Sequence, residues 1–461
     1  MAGLSARILS ARLRTPWGTT WLLLVFMLVN FADKAVLGLA GPGLMRDLDI
    51  SRQQFGTAQS AFFALFSLAA LGVSYLTRTV RTTVLLLAMA LLWSAAQLPM
   101  LWGAAGFGTL VVTRVLLGAA EGPAAPVAMH HVHGWFGQRE RTLPTAVLMV
   151  GASAGVAVAA PTLSMVIEVW GWRWAFGVVG LIGLVWAGVW RVGGTEGPLA
   201  PSVGRALGRS GAEGGDGGAA AVVAAGGDVG PDADAAPSVP LRRILTSGTF
   251  LSACLATFAA YWLMSAKLTW APDYLETVMG WSGRQAGLAI GAVALTNGAA
   301  LLFHGLLAQR TVRSGRTPRL RQGAGAGLLM LGSAVAVALF AVTDAAWLTT
   351  VLMFGPLSMA MVMMTAGATA CARITPPPQR GIVLGALTSV FALGGVLAPA
   401  TLGRIVDAAP DADAGYQNGW LLTAVLLAAG GALATGFLRP QRDADLLGVP
   451  EQEGVPVPVA H

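Results

Sequence analysis

The chain has 461 residues, of which 55% are hydrophobic and only 11% are charged, so its composition excludes an ordinary soluble domain. Its formal net charge is +7. In a chain this apolar, basic residues are expected to set orientation in a lipid bilayer, and no nucleic acid partner is expected.

Twelve apolar stretches follow one another, and each has the length of about 20 residues that a helix needs to cross a bilayer. The predicted spans are 19–43, 55–76, 83–103, 108–129, 142–167, 172–193, 248–271, 286–308, 323–343, 346–371, 381–405 and 417–438. The predicted fold is therefore an all-α integral membrane protein with twelve transmembrane helices. Cys254 and Cys371 fall inside spans, so no structural disulfide is expected.

The arginines between the spans are unevenly distributed. If the N-terminus is cytoplasmic, the outer segments hold only Arg46, Arg52, Arg173, Arg284 and Arg404, and almost all the others are inside. This is the positive-inside pattern, and an even number of spans places both termini in the cytoplasm. We expect a multi-pass protein of the plasma membrane, as in a bacterial inner membrane, whose first span is not a cleaved signal.

A segment rich in Gly, Ala, Asp and Pro, 195–243, divides the chain into two halves of six spans. It predicts a flexible cytoplasmic linker between an N-terminal half, 1–194, and a C-terminal half, 244–440, with a cytoplasmic tail at 441–461. The tetrapeptide Arg-Thr-Val-Arg occurs at 78–81 and again at 310–313, and an Ala-Pro pair occurs at 160–161 and 398–399. These echoes indicate an internal repeat, which is typical of transporters whose halves rock about a central site.

Five charged residues fall inside the spans: Asp33, Lys34, Arg114, Glu121 and Lys267. A charge near the bilayer centre costs from about 3 to more than ~10 kcal/mol, so such residues usually face a partner or an aqueous cavity. The alternatives are static ion pairs between helices and, for Lys267, an ammonium group that reaches the interface.

Helical geometry separates the roles of these charges. Asp33 and Lys34 point about 100° apart and cannot face one partner squarely. Arg114 and Glu121 are seven residues apart and share a helix face with Gly118. Approach or withdrawal of a cation would change proton binding at Asp33 or Glu121, which is a physical route to proton coupling.

Six further side chains are candidates for lining a substrate cavity, although packing between helices is the alternative for each. They are Tyr261, Trp270, Gln59, Asn30, Asn297 and Ser389. His130, His131 and His133 lie at a predicted helix end with one nearby acid in sequence, Glu140, so no metal site is predicted. No nucleotide-binding motif and no cofactor is predicted.

Three segments carry a resemblance to a known family: NFADKAVLGLAGPGLMRDLDIS (30–51), RVLLGAAEGPAAPVAMHHVHGWFGQRER (114–141) and GWRWAFGVVGLIGLVW (171–186). With the six-plus-six pattern, they resemble the major facilitator superfamily and its anion:cation symporter branch. The C-terminal half contributes LTWAPDYLE (268–276). The resemblance implies that Asp33 and Glu121 respond to protons, with Lys34 and Arg114 as basic partners. Family members usually carry Arg where Lys34 stands.

We therefore expect a monomeric secondary transporter that imports a small organic anion, such as a sugar acid or aromatic acid, with protons. An enzyme is not expected, because no nucleophile and base occur at an informative spacing. The alternatives are a proton-coupled exporter of amphipathic compounds and a membrane sensor without transport.

Overall fold

The computed structural model describes residues 13–77, 79–137, 140–200, 239–313, 323–343 and 345–449. All regular elements of these residues are helical. The α-helices are, in chain order, α1 Pro16–Leu48, α2 Arg52–Leu76, α3 Thr82–Gln97, α4 Phe107–Glu121, α5 Ala124–His133, α6 Thr142–Trp170, α7 Trp172–Gly193, α8 Leu241–Leu245, α9 Gly248–Thr277, α10 Gly283–Arg313, α11 Gly325–Val342, α12 Ala346–Phe354, α13 Val362–Arg373, α14 Arg380–Ala408, α15 Ala412–Phe437 and α16 Pro440–Leu447.

The predicted spans match these helices. In the described residues, eleven helical stretches are long and apolar enough to cross a membrane, and α2 occupies the position of the remaining predicted span. The span 83–103 ends in the 3₁₀ segment Leu98–Leu101, and two other spans are interrupted nearer their middles. The fourth changes from α4 to α5 at Gly122-Pro123, and the tenth is interrupted by the 3₁₀ segment Pro356–Met361. Both breaks include a proline, which cannot donate the hydrogen bond that a continuous helix requires.

Several helices begin where the sequence supplies a side-chain cap. Thr15 accepts a hydrogen bond from the amide of Gly18 at 3.0 Å before α1, and Asp411 accepts one from Ala414 at 2.8 Å before α15. Each cap satisfies an amide that has no partner within its helix.

The two halves meet along three pairs of helices: α1 with α9, α2 with α14, and α6 with α10. Gly38 marks the first crossing, because a Cβ atom built there would lie 2.1 Å from the carbonyl oxygen of Leu268. Gly56 marks the second, with its built Cβ 2.3 Å from the carbonyl oxygen of Pro399. Only glycine permits such close approach of two backbones. The halves are therefore in direct backbone contact at these two crossings.

The predicted linker lies mainly outside the described residues. Its first residues are described and contact the N-terminal half, since the amide of Leu199 donates to the carbonyl of Gly134 at 2.9 Å. At its other end, Val239 exchanges hydrogen bonds with the side chain of Gln379. The beginning of the predicted tail forms α16, where Asp443 accepts a hydrogen bond from the amide of Thr249 at 2.7 Å.

Candidate transport site

A cavity of about 220 Å³ lies between the two halves. Its polar lining comes from four side chains: Lys34 of α1, Ser153 of α6, Lys267 of α9 and Asn297 of α10. The other walls are apolar and come from Phe31, Ala152, Val156, Met264, Leu268, Ala271, Ile290, Val293, Ala294, Leu301, Phe340, Met353, Leu357, Met361 and Trp420. The cavity therefore combines two amines with a mainly apolar enclosure.

Lys34 and Lys267 reach the same cavity because of the helix crossing at Gly38. Lys34 precedes Gly38 by one helical turn, and Lys267 is the neighbour of Leu268, whose carbonyl lies against Gly38. Side chains one turn apart share a helix face, so the close crossing brings one lysine from each half to the central space. The prediction left open whether Lys267 faces the cavity; in the structure it does.

The Lys34 ammonium contacts several groups of the N-terminal half. Its Nζ lies 3.0 Å from Oε2 of Glu121 and donates to Oδ1 of Asn30 at 2.5 Å. The same Nζ lies 4.3 Å from the ring centroid of Phe31 and 5.3 Å from that of Phe66. The Lys34 side chain is only 5% exposed, so its ion pair with Glu121 is almost entirely desolvated.

Asp33 points to a different partner, as the helical geometry predicts. Nε2 of Gln97 donates to Oδ1 of Asp33, and Nη2 of Arg114 donates to Oε1 of the same glutamine at 2.6 Å. The guanidinium carbon of Arg114 lies 5.2 Å from the ring centroid of Phe176. Asp33 and Arg114 are therefore joined by an amide bridge.

Gln97 was missed in the sequence reading. It is a polar residue inside the apolar span 83–103, and its amide is fully buried. The signal in the sequence was an amide within an apolar span, because such a group needs a hydrogen-bond partner once it is buried. Its two contacts depend on tertiary packing.

The central cluster balances its formal charges, with two negative groups, Asp33 and Glu121, and two positive ones, Lys34 and Arg114. All four side chains are buried. Asp33 Oδ2, Glu121 Oε1 and Arg114 Nε have no hydrogen-bond partner within the described residues. The two acidic oxygens among these atoms, Asp33 Oδ2 and Glu121 Oε1, can therefore accept protons.

Lys267 is in a different electrostatic position. Its Nζ donates to the carbonyl of Leu357 at 3.4 Å, and no acidic group of the described residues lies within 4.0 Å of it. An uncompensated ammonium group in an apolar enclosure favours a bound anion.

The other predicted cavity residues divide into two groups. Asn30 contacts Lys34, and Asn297 lines the cavity with an Oδ1 atom that has no partner among the described residues. The remaining four, like Asn30 itself, lie outside the cavity lining: Tyr261, Trp270, Gln59 and Ser389.

Local packing accounts for the places of three of these four side chains. The Tyr261 ring packs 5.0 Å from that of Phe391, and Trp270 donates its indole N–H to the carbonyl of Pro399 at 3.0 Å. The Ser389 hydroxyl donates to the carbonyl of Gly385 at 3.0 Å.

A second set of charges joins the halves at the predicted outer end. Arg52 Nε donates to Oδ2 of Asp273 at 2.8 Å, and the Tyr416 hydroxyl donates to the same carboxylate. Asp407 accepts hydrogen bonds from the amides of Arg52 and Gln53 at 3.2 and 2.7 Å. These contacts fasten the start of α2 to α9, α14 and α15.

The predicted inner end carries a cluster within the N-terminal half. Glu196 accepts hydrogen bonds from the amide and hydroxyl of Thr83 at 2.8 and 2.7 Å, and from the Thr82 hydroxyl at 3.0 Å. Burial raises the pKa of this carboxyl group, but the Thr83 and Thr82 hydrogen bonds and nearby His131 lower it, and the net effect is a lowered pKa. The described residues contain no group of three His, Cys, Asp or Glu side chains arranged to hold a metal ion.

The sequence profile described as Major Facilitator Superfamily matches residues 22–399. The chain belongs to the Major Facilitator Superfamily. The prediction of this superfamily is confirmed, and with it a multi-pass membrane transporter that is not an enzyme.

A solved structure of the same superfamily agrees with the fold. A bacterial homolog of the human lysosomal transporter Spinster, in an inward-facing and unoccupied conformation, aligns with a TM-score of 0.74 at 16% identity. The alignment covers 93% of this chain and 98% of that chain. The predicted architecture of twelve helices in two halves is confirmed.

Curated relatives of this superfamily member are organic-anion transporters. A probable galactarate/D-glucarate transporter of Bacillus subtilis is 24% identical over 415 residues, which cover 85% of this chain and 86% of that protein. A probable sulfoacetate transporter of Cupriavidus necator is 24% identical over 419 residues, covering 89% and 91%.

Proposed function

We propose that the protein imports a small organic anion together with protons, by alternating access of one central cavity to the two sides of the membrane. The observation that supports this most directly is the pair of lysines, Lys34 and Lys267, which face one cavity from opposite halves. A substrate held by both would connect the halves whose relative movement transports it.

The charges of the cavity favour an anion. Lys34 has one acidic partner, Glu121, and Lys267 has none within 4.0 Å among the described residues. A carboxylate between the two amines would form charge-assisted hydrogen bonds in a poorly solvated space, where such bonds are strong. Lipophilic cations would meet two like charges. These charges favour the anion importer over an exporter of amphipathic compounds if those compounds are cationic.

Proton coupling follows from the competition for Lys34. Glu121 holds the Lys34 ammonium at 3.0 Å, and the substrate anion would compete for the same group. A proton on Glu121 or Asp33 reduces the negative charge behind Lys34 and so frees it to bind the anion. Binding of a proton and binding of an anion therefore favour each other.

The apolar walls of the cavity indicate which kind of substrate it can hold. Relatives are described as transporting galactarate/D-glucarate and sulfoacetate, and sugar acids carry several hydroxyl groups. Besides the two lysines, the cavity lining offers only Ser153, Asn297 and the indole N–H of Trp420 as polar groups. Several hydroxyl groups would lose water without finding partners there. We therefore favour a carboxylate with an apolar body, such as an aromatic acid, over a sugar acid.

The test is uptake of labelled benzoate and labelled D-glucarate into proteoliposomes, with and without an inside-alkaline pH gradient. We expect gradient-dependent accumulation of benzoate exceeding that in protein-free liposomes, which controls for passive entry of the neutral acid. Larger accumulation of D-glucarate would reject the apolar body and retain the anion symporter. Saturable binding without flux of either compound would favour the sensor.

A further inference from the structure

We propose that Gln97 is a positioning residue that determines which oxygen of Asp33 receives the coupling proton, namely Oδ2. The inference rests on the proposed function only in treating this proton as the one that is coupled to transport. The hydrogen bonds that support it lie within the protein and do not depend on a substrate.

The polarity of the glutamine amide is fixed by its neighbours. A guanidinium group donates hydrogen bonds and accepts none, so the oxygen of Gln97 must face Arg114, at the observed 2.6 Å. The amide nitrogen, which only donates, is then directed at Oδ1 of Asp33. With Arg114 ionised, the reversed amide would place two donors against each other.

The place of Gln97 in the fold keeps the amide in this position. It is the last residue of α3, where the chain enters the 3₁₀ segment Leu98–Leu101. A Cβ atom built on Gly180 of α7 would lie 3.3 Å from Cβ of Gln97, so α7 packs closely against it. The side chain is fully buried, with little room for another rotamer.

The consequence for Asp33 is that its two oxygens differ. Oδ1 accepts from Gln97 and is poorly placed to carry a proton of its own, whereas Oδ2 has no hydrogen-bond partner within the described residues. Glu121 is a second carboxylate near Asp33, and the two repel each other when both are ionised. A proton on Oδ2 would remove this repulsion and leave a neutral Asp33 beside Glu121.

The charged groups nearest Asp33 are the ones that this effect of the proton on Glu121 and Lys34 involves. Those that act on it most closely are Glu121 and Arg114 from α4 and Lys34 from its own helix. The helices packed against α1 carry other charged residues and histidines farther along their lengths: Arg52 on α2, His130, His131 and His133 on α5, Glu168 on α6, Arg173 and Arg191 on α7, and Lys267, Asp273 and Glu276 on α9.

Protonation of Asp33 thus changes the charge near Glu121 and, in consequence, the attraction that holds Lys34. Once Asp33 is neutral, the two acidic groups carry one negative charge in place of two and attract the Lys34 ammonium less strongly, so Lys34 becomes available to the anion in the cavity. The only covalent change is the O–H bond that forms when water delivers the proton to Asp33 and that breaks when the proton returns to water as the site opens to the cytoplasm.

The test follows the carboxyl C=O infrared band of Asp33 through a pH titration of the full-length protein in lipid, with no substrate. The Asp33→Asn variant identifies the band by its loss. Gln97→Met removes the donor to ionised Asp33 at nearly constant volume. Its titration midpoint should move to a proton concentration roughly tenfold lower.

Two further variants complete the experiment. Gln97→Glu keeps an acceptor for Arg114 and, when ionised, places a negative charge where the donor to Asp33 stood, so it should shift the band in the same direction and by more than Gln97→Met does; it serves if Gln97→Met does not fold. Gln59→Met makes the same substitution at another buried glutamine, on α2, and should leave the midpoint unchanged.

An unchanged midpoint in a folded Gln97 variant, or an Asp33 band that does not titrate in the wild type, would overturn the proposal. A shift equal to that of Gln59→Met would also overturn it. A specific shift in a protein that accumulates no anion would support the positioning role and refute the proposed function, so the two failures are distinguishable.

Discussion

At the residue scale, two adjacent residues of α1, Asp33 and Lys34, have different partners. Asp33 turns toward Gln97 and Arg114, and Lys34 turns toward Glu121 and the cavity. The roughly 100° between consecutive helical side chains produces this division. A proton site and an anion site can then lie side by side without sharing an atom, linked through Glu121.

Lys34→Gln should weaken binding of benzoate by about ten- to a hundredfold, because a charge-assisted hydrogen bond in a desolvated site is lost. Binding of the uncharged analogue benzamide should change little. The measurement is calorimetric titration of both ligands at several pH values, with Lys34→Arg as the charge-retaining control. Equal weakening for the two ligands would remove Lys34 from anion recognition.

Asp33→Asn and Glu121→Gln should abolish accumulation driven by a pH gradient while retaining substrate exchange between preloaded vesicles and medium. Each substitution removes a titratable group with little change in volume, so the cavity persists but the coupling does not. Parallel assays of accumulation and counterflow measure the two activities. Wild-type accumulation in both variants would contradict the proposed coupling.

At the element scale, hydrogen bonds to exposed helix ends fix how the helices are joined. Glu196, just beyond α7, accepts from Thr82 and Thr83 at the start of α3. The first amides of a helix have no partner inside it, so an acidic side chain there satisfies them and complements the helix dipole. The entry to the predicted linker is thereby fastened to the N-terminal half.

Glu196→Gln should lower the melting temperature of the purified protein at neutral pH. Folding lowers the pKa of Glu196, so its ionised form stabilises the protein above the pKa of the unfolded chain. That contribution disappears as the pH falls through the lowered pKa, and the two melting temperatures should converge in acid. A difference that persists at acid pH would show that charge is not the cause.

At the scale of the whole molecule, the structure joins its halves by close backbone contact at the centre and by charges at one end. Arg52 and Asp273 form an ion pair across the halves, and Asp407 accepts from the first amides of α2. The proposed alternating access requires these contacts to break when the predicted outer end opens.

A covalent link between positions 52 and 273 should therefore stop transport. We expect the double variant Arg52→Cys/Asp273→Cys, treated with a short cleavable bifunctional thiol reagent, to lose uptake and to recover it after the link is cleaved. The single variants under the same treatment are the controls, because the native Cys254 and Cys371 are buried. Unimpaired uptake in the cross-linked protein would show that these helix ends need not separate.

The amino-acid sequence alone is enough to predict the all-helical fold, the span positions and the two halves, because bilayer thickness and hydrophobicity act locally along the chain. It also predicts the buried charges Asp33, Lys34, Arg114 and Glu121, since charges in apolar spans are conspicuous. It does not predict the contacts of Gln97, the Arg52–Asp273 pair or the breaks at Gly122-Pro123 and before Pro356. Tertiary packing sets which charge meets which partner, brings Lys267 to the cavity, and leaves Asn30, Tyr261, Trp270, Gln59 and Ser389 outside its lining. These depend on how closely helices distant in sequence approach, and the approach at Gly38 is set by the packing of both halves together.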